Sequence, residues 1–294
     1  MTTLSITPAR TSAALLVTAG VLWGTGGLAG AILASAGDLH PVSVATYRLL
    51  VGGAFAAAVV ACAGKLHHLR AHPWRLLVCG ALLAQFQAAY QVAVAQISVS
   101  LATLLTIGCV PVCVAAVTAL RERRSPGRRT MIALGGSLAG LALLCGAPGG
   151  AVGWHTAVGV GMSLLAGAGF AALTLLTARP VAGQGAITSV GLLVGGVLLM
   201  PFALGYGMAL PLTGEVVALV GYLGLVPTAV AYGAYFVGLC HAGATAAALA
   251  TVLEPLTATL LAVAFHGERL TAAGVLGAAL IAGALALYYA PAKR

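Results

Sequence analysis

The sequence predicts an all-α, polytopic membrane protein with ten transmembrane helices, because apolar segments of bilayer length follow one another along the chain. A membrane span needs about 20 mostly apolar residues to cross about 30 Å of hydrocarbon. Charged residues make up only 6% of the 294 residues, and the mean hydropathy is +1.07. A soluble domain of this composition would have too little polar surface to face water.

The predicted helices divide evenly between the two halves of the chain. Those of the first half lie near residues 13–36, 42–64, 74–95, 99–120 and 130–147. Those of the second half lie near residues 156–178, 186–208, 215–239, 244–265 and 272–290.

The distribution of Lys and Arg predicts the orientation. With the amino terminus placed in the cytoplasm, twelve of the 14 basic residues lie on the inner side, Arg269 lies on the outer side, and Arg48 falls within the second span. The inner set comprises Arg10, Lys65, Arg70, Arg75, Arg121, Arg123, Arg124, Arg128, Arg129, Arg179, Lys293 and Arg294. This positive-inside bias predicts a multi-pass protein of the cell inner (cytoplasmic) membrane with both termini in the cytoplasm.

Several classes of function lack their sequence signals. The basic run 121–129 allows two interpretations, phosphate binding or a cytoplasmic loop that faces anionic lipid. No aromatic platform or nucleic-acid motif accompanies it, so we expect no nucleic-acid partner. Cys109 and Cys113 share a helix face, but no His joins them, so we expect no metal site. No Ser/His/Asp grouping and no phosphate-cradling loop is present in the sequence. We therefore expect no enzymatic activity, no cofactor and no ATP-driven pumping.

The two halves share landmarks at a nearly constant offset. Val110-Pro111 corresponds to Glu254-Pro255, and Glu122 corresponds to Glu268. We therefore predict two five-helix repeats, 1–148 and 149–294, joined at the turn-rich segment 146–150. The competing interpretation is chance similarity between Ala- and Leu-rich segments. Because five is an odd number, the second repeat would cross the membrane in the opposite sense, and such inverted repeats are typical of secondary transporters.

Short motifs along the whole chain resemble the EamA-type transporters of the drug/metabolite transporter superfamily. They are Val21-Leu22-Trp23-Gly24, Pro41 with Tyr47-Arg48-Leu49, Leu253-Glu254-Pro255, and Gly267-Glu268-Arg269-Leu270-Thr271. The resemblance implies ten helices in two inverted halves and the export of amino acids or other small metabolites. The first half departs from the pattern, because Arg121-Glu122 stands where the family often has Gly-Glu.

Two ionisable residues lie within predicted spans. Glu254 lies near mid-depth of the ninth span, where a charged side chain costs at least about 2.5 kcal/mol and should therefore face inward. Its three interpretations are a proton-binding group that couples transport, a ligand for a substrate ammonium group, and a structural hydrogen bond to the proline-kinked backbone. Arg48 in the second span also has three interpretations. It could bind a substrate carboxylate, extend its charged group to the outer interface, or pair with a helix carbonyl. Asp38 and His40 are its candidate neighbours.

Polar and aromatic residues predict the rest of a binding site. Gln87, Tyr90 and Gln91 share one face of the third span. We expect this face to line a cavity or to bond to neighbouring helices. Gln85 is a further amide of the same span. The other candidate contacts are Trp23 and Thr25 in the first span, and Tyr232 and Tyr235 in the eighth. Trp and Tyr also serve as interfacial anchors in membrane proteins.

Glycine and proline predict close packing and hinges. Forty glycines include the pairs Gly20/Gly24, Gly26/Gly30, Gly136/Gly140 and Gly191/Gly195, whose four-residue spacing suits close helix contacts within one chain or in a homodimer. Pro111 and Pro255 occupy matching positions in the two halves, and we predict that they are hinges beside a central cavity.

Taken together, the sequence predicts a secondary active transporter that exports small metabolites such as amino acids by alternating access. The expected partners are a small-molecule substrate, the lipid bilayer and protons, and the expected state is a monomer or a homodimer. The alternatives are a broad-specificity drug exporter, which would need a wider and more aromatic pocket, and a membrane-embedded sensor or enzyme.

Overall fold

A computed structural model describes residues 8–145, 153–266 and 271–290. The first half contains α1 (Pro8–Gly37), α2 (Pro41–Cys62), α3 (Pro73–Gln96), α4 (Val99–Glu122) and α5 (Arg128–Cys145), with a 3-10 turn at Leu66–Ala71. The second half contains α6 (Trp154–Thr177), α7 (Gln184–Tyr206), α8 (Gly214–Gly224), α9 (Ala231–Ala242), α10 (Ala244–Ala250), α11 (Leu253–His266) and α12 (Ala272–Tyr289). These described ranges contain no strand.

The ten predicted spans are confirmed, because the described helices form ten segments long and apolar enough to cross a bilayer. The eighth span comprises α8, a π-helical turn and α9, and the ninth comprises α10 and α11. Helix α1 begins at Pro8, earlier than predicted. The predicted joint 146–150, most of the motif 267–271, and the basic residues Arg269, Lys293 and Arg294 lie outside the described residues.

The eighth span contains a π-helical turn at Leu225–Val230, which includes Pro227. Proline has no N–H, so Pro227 cannot donate to the carbonyl of Leu223 four residues earlier. The hydroxyl of Thr228 donates to that carbonyl instead, at 2.8 Å. The wider turn is therefore stabilised by a side chain at the point where proline removes a backbone donor.

The ninth span is broken between α10 and α11. Thr251 and Val252 donate from their backbone N–H groups to carbonyls three residues earlier, at 3.3 Å each, which is a tighter turn than that of an α-helix. Pro255 lies in the first turn of α11 and cannot donate to the carbonyl of Thr251. By contrast, α4 continues through Pro111. The two residues predicted as hinges thus occupy different backbone environments, and their hinge role stays a prediction.

The helix contacts pair off as two inverted halves require. The second and seventh spans pack together, as do the fifth and tenth, and each of these pairs joins equivalent helices of the two halves. The third span contacts the sixth, and their equivalents in the other half, the eighth and the first, also contact each other. The contact of the fourth with the sixth is matched by that of the ninth with the first. This reciprocity is expected for halves related by a two-fold axis in the membrane plane.

Glycines lie where these helices cross most closely. A Cβ atom built on Gly140 of α5 would lie 2.7 Å from the carbonyl oxygen of Gly277 on α12, and one on Gly277 would lie 2.6 Å from the carbonyl oxygen of Gly140. A Cβ on Gly24 of α1 would lie 2.7 Å from the carbonyl oxygen of Glu254. These small residues therefore serve contacts within the chain, where van der Waals packing replaces the hydrophobic effect as the attraction between helices.

Hydrogen bonds identify two ends of the bundle. At the end where α1 begins, Arg75 of α3 donates to the carbonyls of Leu176 and Arg179, at 2.6 and 2.9 Å. We call it the basic end, because it carries Lys65, Arg70, Arg75, Arg121, Arg123, Arg124, Arg128, Arg129 and Arg179. At the opposite end, Ser43 and Tyr47 of α2 donate to carbonyls of Gly207 and Met208 after α7, at 2.7 and 2.5 Å.

Candidate functional site

A cavity of about 290 Å³ lies between the two halves, and we call it the central cavity. Its walls come from α1 to α4 of the first half and from α6, α9 and the broken ninth span of the second. It extends toward the end opposite the basic end, where Ala34, Pro41, Val94 and Val99 line it. Small-molecule sites usually have about 300–1,000 Å³, so the volume suits a small ligand.

Aromatic rings form the floor of the central cavity. Trp23, Phe86, Phe170 and Tyr232 line it, and the Trp23 ring centroid lies 5.1 Å from that of Tyr232 and 5.8 Å from that of Phe170. Tyr235 does not line the cavity: it lies below the floor, 5.0 Å from Trp23, and shares a 2.7 Å hydrogen bond with the Thr174 hydroxyl. This packed cluster separates the cavity from the basic end.

Arg48 lies on the wall formed by α2. Its Nε donates to the Thr228 hydroxyl at 3.2 Å, and its Nη2 donates to the Pro227 carbonyl at 3.3 Å, so the guanidinium is held at the π-helical turn. Its Nη1 has no protein acceptor among the described residues and remains free to donate to a ligand. His40 accepts from the Val42 backbone N–H at 3.3 Å and stacks on Tyr206 at 3.9 Å, so it caps α2 instead of contacting Arg48.

Glu254 lies on the opposite wall, in the first turn of α11. Its half-buried carboxylate forms no hydrogen bond and no ion pair within 4.0 Å in the described part of the chain. It interacts electrostatically with Arg48 over a longer distance. The positive end of the α11 dipole favours a negative charge here. The central cavity therefore presents one basic and one acidic side chain on separate walls, one from each half of the chain.

The polar face of the third span points into the central cavity. Gln87, Tyr90 and Gln91 all line it, and Tyr90 also shares a 2.8 Å hydrogen bond with the Thr103 hydroxyl on α4. Gln85 points elsewhere and donates to the Leu165 carbonyl at 3.1 Å. The third span thus uses one amide for a helix contact and two amides for the cavity.

Thr25 is directed away from the central cavity. Its hydroxyl donates to the Leu22 carbonyl and accepts from the Tyr222 hydroxyl, at 2.7 Å each. Of the candidate contacts named from the sequence, the cavity brings together Trp23, Arg48, Gln87, Tyr90, Gln91, Tyr232 and Glu254. Thr25 and Tyr235 are not among its lining residues.

Sequence reasoning missed several lining residues. Phe86 and Phe170 are apolar side chains in apolar spans, where hydropathy does not distinguish a cavity position from a lipid-facing one. Thr103, Thr106 and Thr251 are common residues in membrane helices, where their hydroxyls bond locally. Phe86 lies four residues before Tyr90, so the helical spacing of the Gln/Tyr face is the signal that includes it.

Known proteins support the same architecture. The sequence model of the EamA-like transporter family matches the chain twice, over residues 10–146 and 157–290. The chain is 30% identical over 279 residues to the uncharacterized transporter YwfM of Bacillus subtilis (strain 168), covering 94% of this chain and 93% of that protein. A solved structure described as "Crystal structure of protein" shares the fold, with a TM-score of 0.81 at 20% identity over 94% of this chain and 96% of the other.

Proposed function

We propose that this chain, which belongs to the EamA-like transporter family, is a secondary active transporter. Its proposed substrates, which it would export, are small zwitterionic metabolites, α-amino acids above all. Transport would proceed by alternating access. The two halves would move about the central cavity and expose it to each side of the membrane in turn.

The pair of opposite charges in the central cavity is the observation that carries this proposal. Arg48 and Glu254 are the charged members of its lining, and they lie on walls contributed by different halves. A zwitterion would place its carboxylate at the free Nη1 of Arg48 and its ammonium group at Glu254. Its side chain would rest on the aromatic floor of Trp23, Phe170 and Tyr232.

The volume of the central cavity supports a small substrate over a broad-specificity drug exporter. About 290 Å³ lies at the lower limit for small-molecule sites, and Gln87, Tyr90 and Gln91 add polar groups to its lining. A broad drug pocket would need a larger apolar volume and no fixed pair of charges.

The packing at the two ends supports alternating access. The central cavity extends to one end, while the basic end is closed by the aromatic floor and by the hydrogen bonds of Arg75 to the end of α6. In the orientation that the basic residues favour, with both termini in the cytoplasm of an inner-membrane protein, this is an outward-open state. The break before Glu254 provides a point at which the ninth span can bend, and Glu254 can bind a proton when substrate leaves.

The test is flux into proteoliposomes, measured for a panel of amino acids with and without a pH gradient. Two matched analogues isolate the charges: a methyl ester removes the carboxylate, and a 2-hydroxy acid removes the ammonium group. Hydrogen bonds to charged groups contribute about 1.5–3 kcal/mol, so each analogue should be transported about ten- to a hundredfold less efficiently by the native protein.

The variants assign each charge to its partner. Arg48→Gln should lose the discrimination against the ester, and Glu254→Gln should lose both the discrimination against the hydroxy acid and the response to the pH gradient. Glu215→Gln is the matched control, because Glu215 is an exposed carboxylate in the first turn of α8 and lines no part of the central cavity. Equal transport of ester, hydroxy acid and amino acid by the native protein would refute the zwitterion site.

A further inference from the structure

A second cavity, of about 390 Å³, lies at the basic end, and we call it the basic-end cavity. It is formed where α2 ends, the 3-10 turn follows and α7 begins. Its polar lining comprises Lys65, His68, Gln184 and Ser189, and its apolar lining includes Val59 and Val60. None of its lining residues is shared with the central cavity, and none is acidic.

Helix α7 begins at the basic-end cavity without a side-chain cap. The N-cap residue is Gly183, with a φ of 75°, and it provides no side-chain cap for the N–H groups of the first turn. In the described part of the chain, the backbone N–H groups of Gly185 and Ala186 have no acceptor. Helix amino termini leave such N–H groups free and carry a partial positive charge, so they attract anions.

Gln184 provides an independent indication of a missing ligand. Its side chain lines the basic-end cavity and is only 6% exposed, yet its Oε1 and Nε2 both lack a hydrogen-bond partner within residues 8–145, 153–266 and 271–290. Leaving a buried polar group unpaired is costly, and a buried amide normally finds partners. A ligand that accepts one hydrogen bond and donates another would satisfy both atoms.

The surrounding charge defines the chemistry of that ligand. Lys65 is exposed at the rim and supplies a positive charge, and no carboxylate lines the cavity to oppose an anion. His68 lies against the turn before α7, because a Cβ built on Gly183 would overlap the Cβ of His68. Ammonium, amide and hydroxyl donors around a helix amino terminus form the usual setting for a phosphate.

We propose that the basic-end cavity binds a phosphate group. The N–H groups of Gly185 and Ala186, the Nε2 of Gln184, and Lys65 donate to the phosphate oxygens. The Oε1 of Gln184 accepts from a hydroxyl next to the phosphate. The phosphate belongs either to the head group of an anionic lipid, whose chains would contact the exposed Val59, or to a soluble phosphorylated compound. This site is independent of the central cavity and of the proposed substrate.

Titration of the purified full chain in a neutral detergent tests the proposal. The three probes are dihexanoyl phosphatidylglycerol, dihexanoyl phosphatidylcholine and inorganic phosphate, and the dissociation constant is measured by calorimetry. Because each charge-assisted contact changes affinity by about tenfold or more, Lys65→Ala and Gln184→Leu should each weaken anion binding by at least about tenfold. Arg70→Ala is the matched control, since Arg70 is an exposed cation of the same 3-10 turn that does not line the basic-end cavity.

The outcomes separate the two sources of the phosphate, and they also test the alternative that the basic-end cavity binds no anion. Tight binding of phosphatidylglycerol without binding of inorganic phosphate identifies a lipid head-group site, and binding of both identifies a general phosphate site. The proposal is overturned if neither anion binds, or if Lys65→Ala and Gln184→Leu bind as Arg70→Ala does. Lys65→Ala alters an exposed side chain, so it decides the matter even where Gln184→Leu fails to fold.

Discussion

The crossing of α5 and α12 gives a sharp test of the packing between the two halves. A methyl group added at Gly140 would lie 2.7 Å from the Gly277 carbonyl oxygen, 2.8 Å from Cγ1 of Ile281 and 3.0 Å from its backbone N. Ordinary contacts of this kind begin at 3.4 Å, and backbone atoms cannot rotate away, so the helices must separate by several tenths of an ångström. Overpacking of this kind typically costs about 1–3 kcal/mol.

Gly135 provides the matched control on the same helix, because a Cβ there meets no atom within 4 Å. Alanine raises helix propensity by roughly 0.5–1 kcal/mol over glycine at either position, so this gain cancels when the variants are compared. We expect Gly140→Ala to be less stable than Gly135→Ala by about 1–3 kcal/mol, and Gly277→Ala to resemble Gly140→Ala.

The measurement is the free energy of unfolding in mixed micelles as the denaturing detergent is increased. Equal stability of Gly140→Ala and Gly135→Ala would show that α5 and α12 do not cross at Gly140, which would remove one of the contacts between equivalent helices.

Three further substitutions probe individual polar contacts. Thr228→Val removes the hydroxyl that accepts from Arg48 and donates to the Leu223 carbonyl. The loss of about 1 kcal/mol of hydrogen-bond energy that positions Arg48 should raise the transport KM about fivefold. An unchanged KM would mean that other contacts position Arg48. Arg75→Gln weakens the hydrogen bonds that hold the end of α6 at the basic end, so the free energy of unfolding should fall by about 1–3 kcal/mol. A stability equal to that of the native protein would contradict the role of Arg75 in closing the basic end. The buried hydroxyl of Ser137 has no hydrogen-bond partner among the described residues. Ser137→Ala should therefore leave stability unchanged or raise it by up to about 1 kcal/mol in the same assay, whereas a marked loss of stability would reveal a further partner.

The number of spans could be predicted because crossing a bilayer imposes a length and a composition on every helix. The internal geometry of the eighth and ninth spans could not be predicted in this way. Hydropathy measures transfer into hydrocarbon and carries no information on backbone hydrogen bonds. Pro227 and Pro255 mark the irregular segments, but Pro111 is the same residue type inside an uninterrupted α4. A proline therefore indicates where a helix can break, and tertiary packing decides whether it does.

The polar part of the central cavity was visible in the sequence because each of its members is costly in lipid. Arg48, Glu254 and Gln87 must find a cavity or a partner, so their presence in apolar spans is informative. Aromatic residues carry no such penalty, which is why Tyr235, Phe170 and their neighbours could not be sorted into lining and packing positions. Tyr235 satisfies its hydroxyl through Thr174, a contact between distant spans that requires the fold to be known.

The difference between the two halves explains where the candidate site lies. The helix crossings follow the two-fold relation, but the matching segments Val110-Pro111 and Glu254-Pro255 do not share one conformation. In α4 the helix continues and Val110 is fully buried. In the ninth span the tight turn at Thr251 ends α10, and both Thr251 and Glu254 line the central cavity. A symmetric pair of halves would present the same group twice, whereas an amino acid carries two different charges. The symmetry is broken here, opposite Arg48, and the polarity that results is what the proposed amino-acid substrate would require.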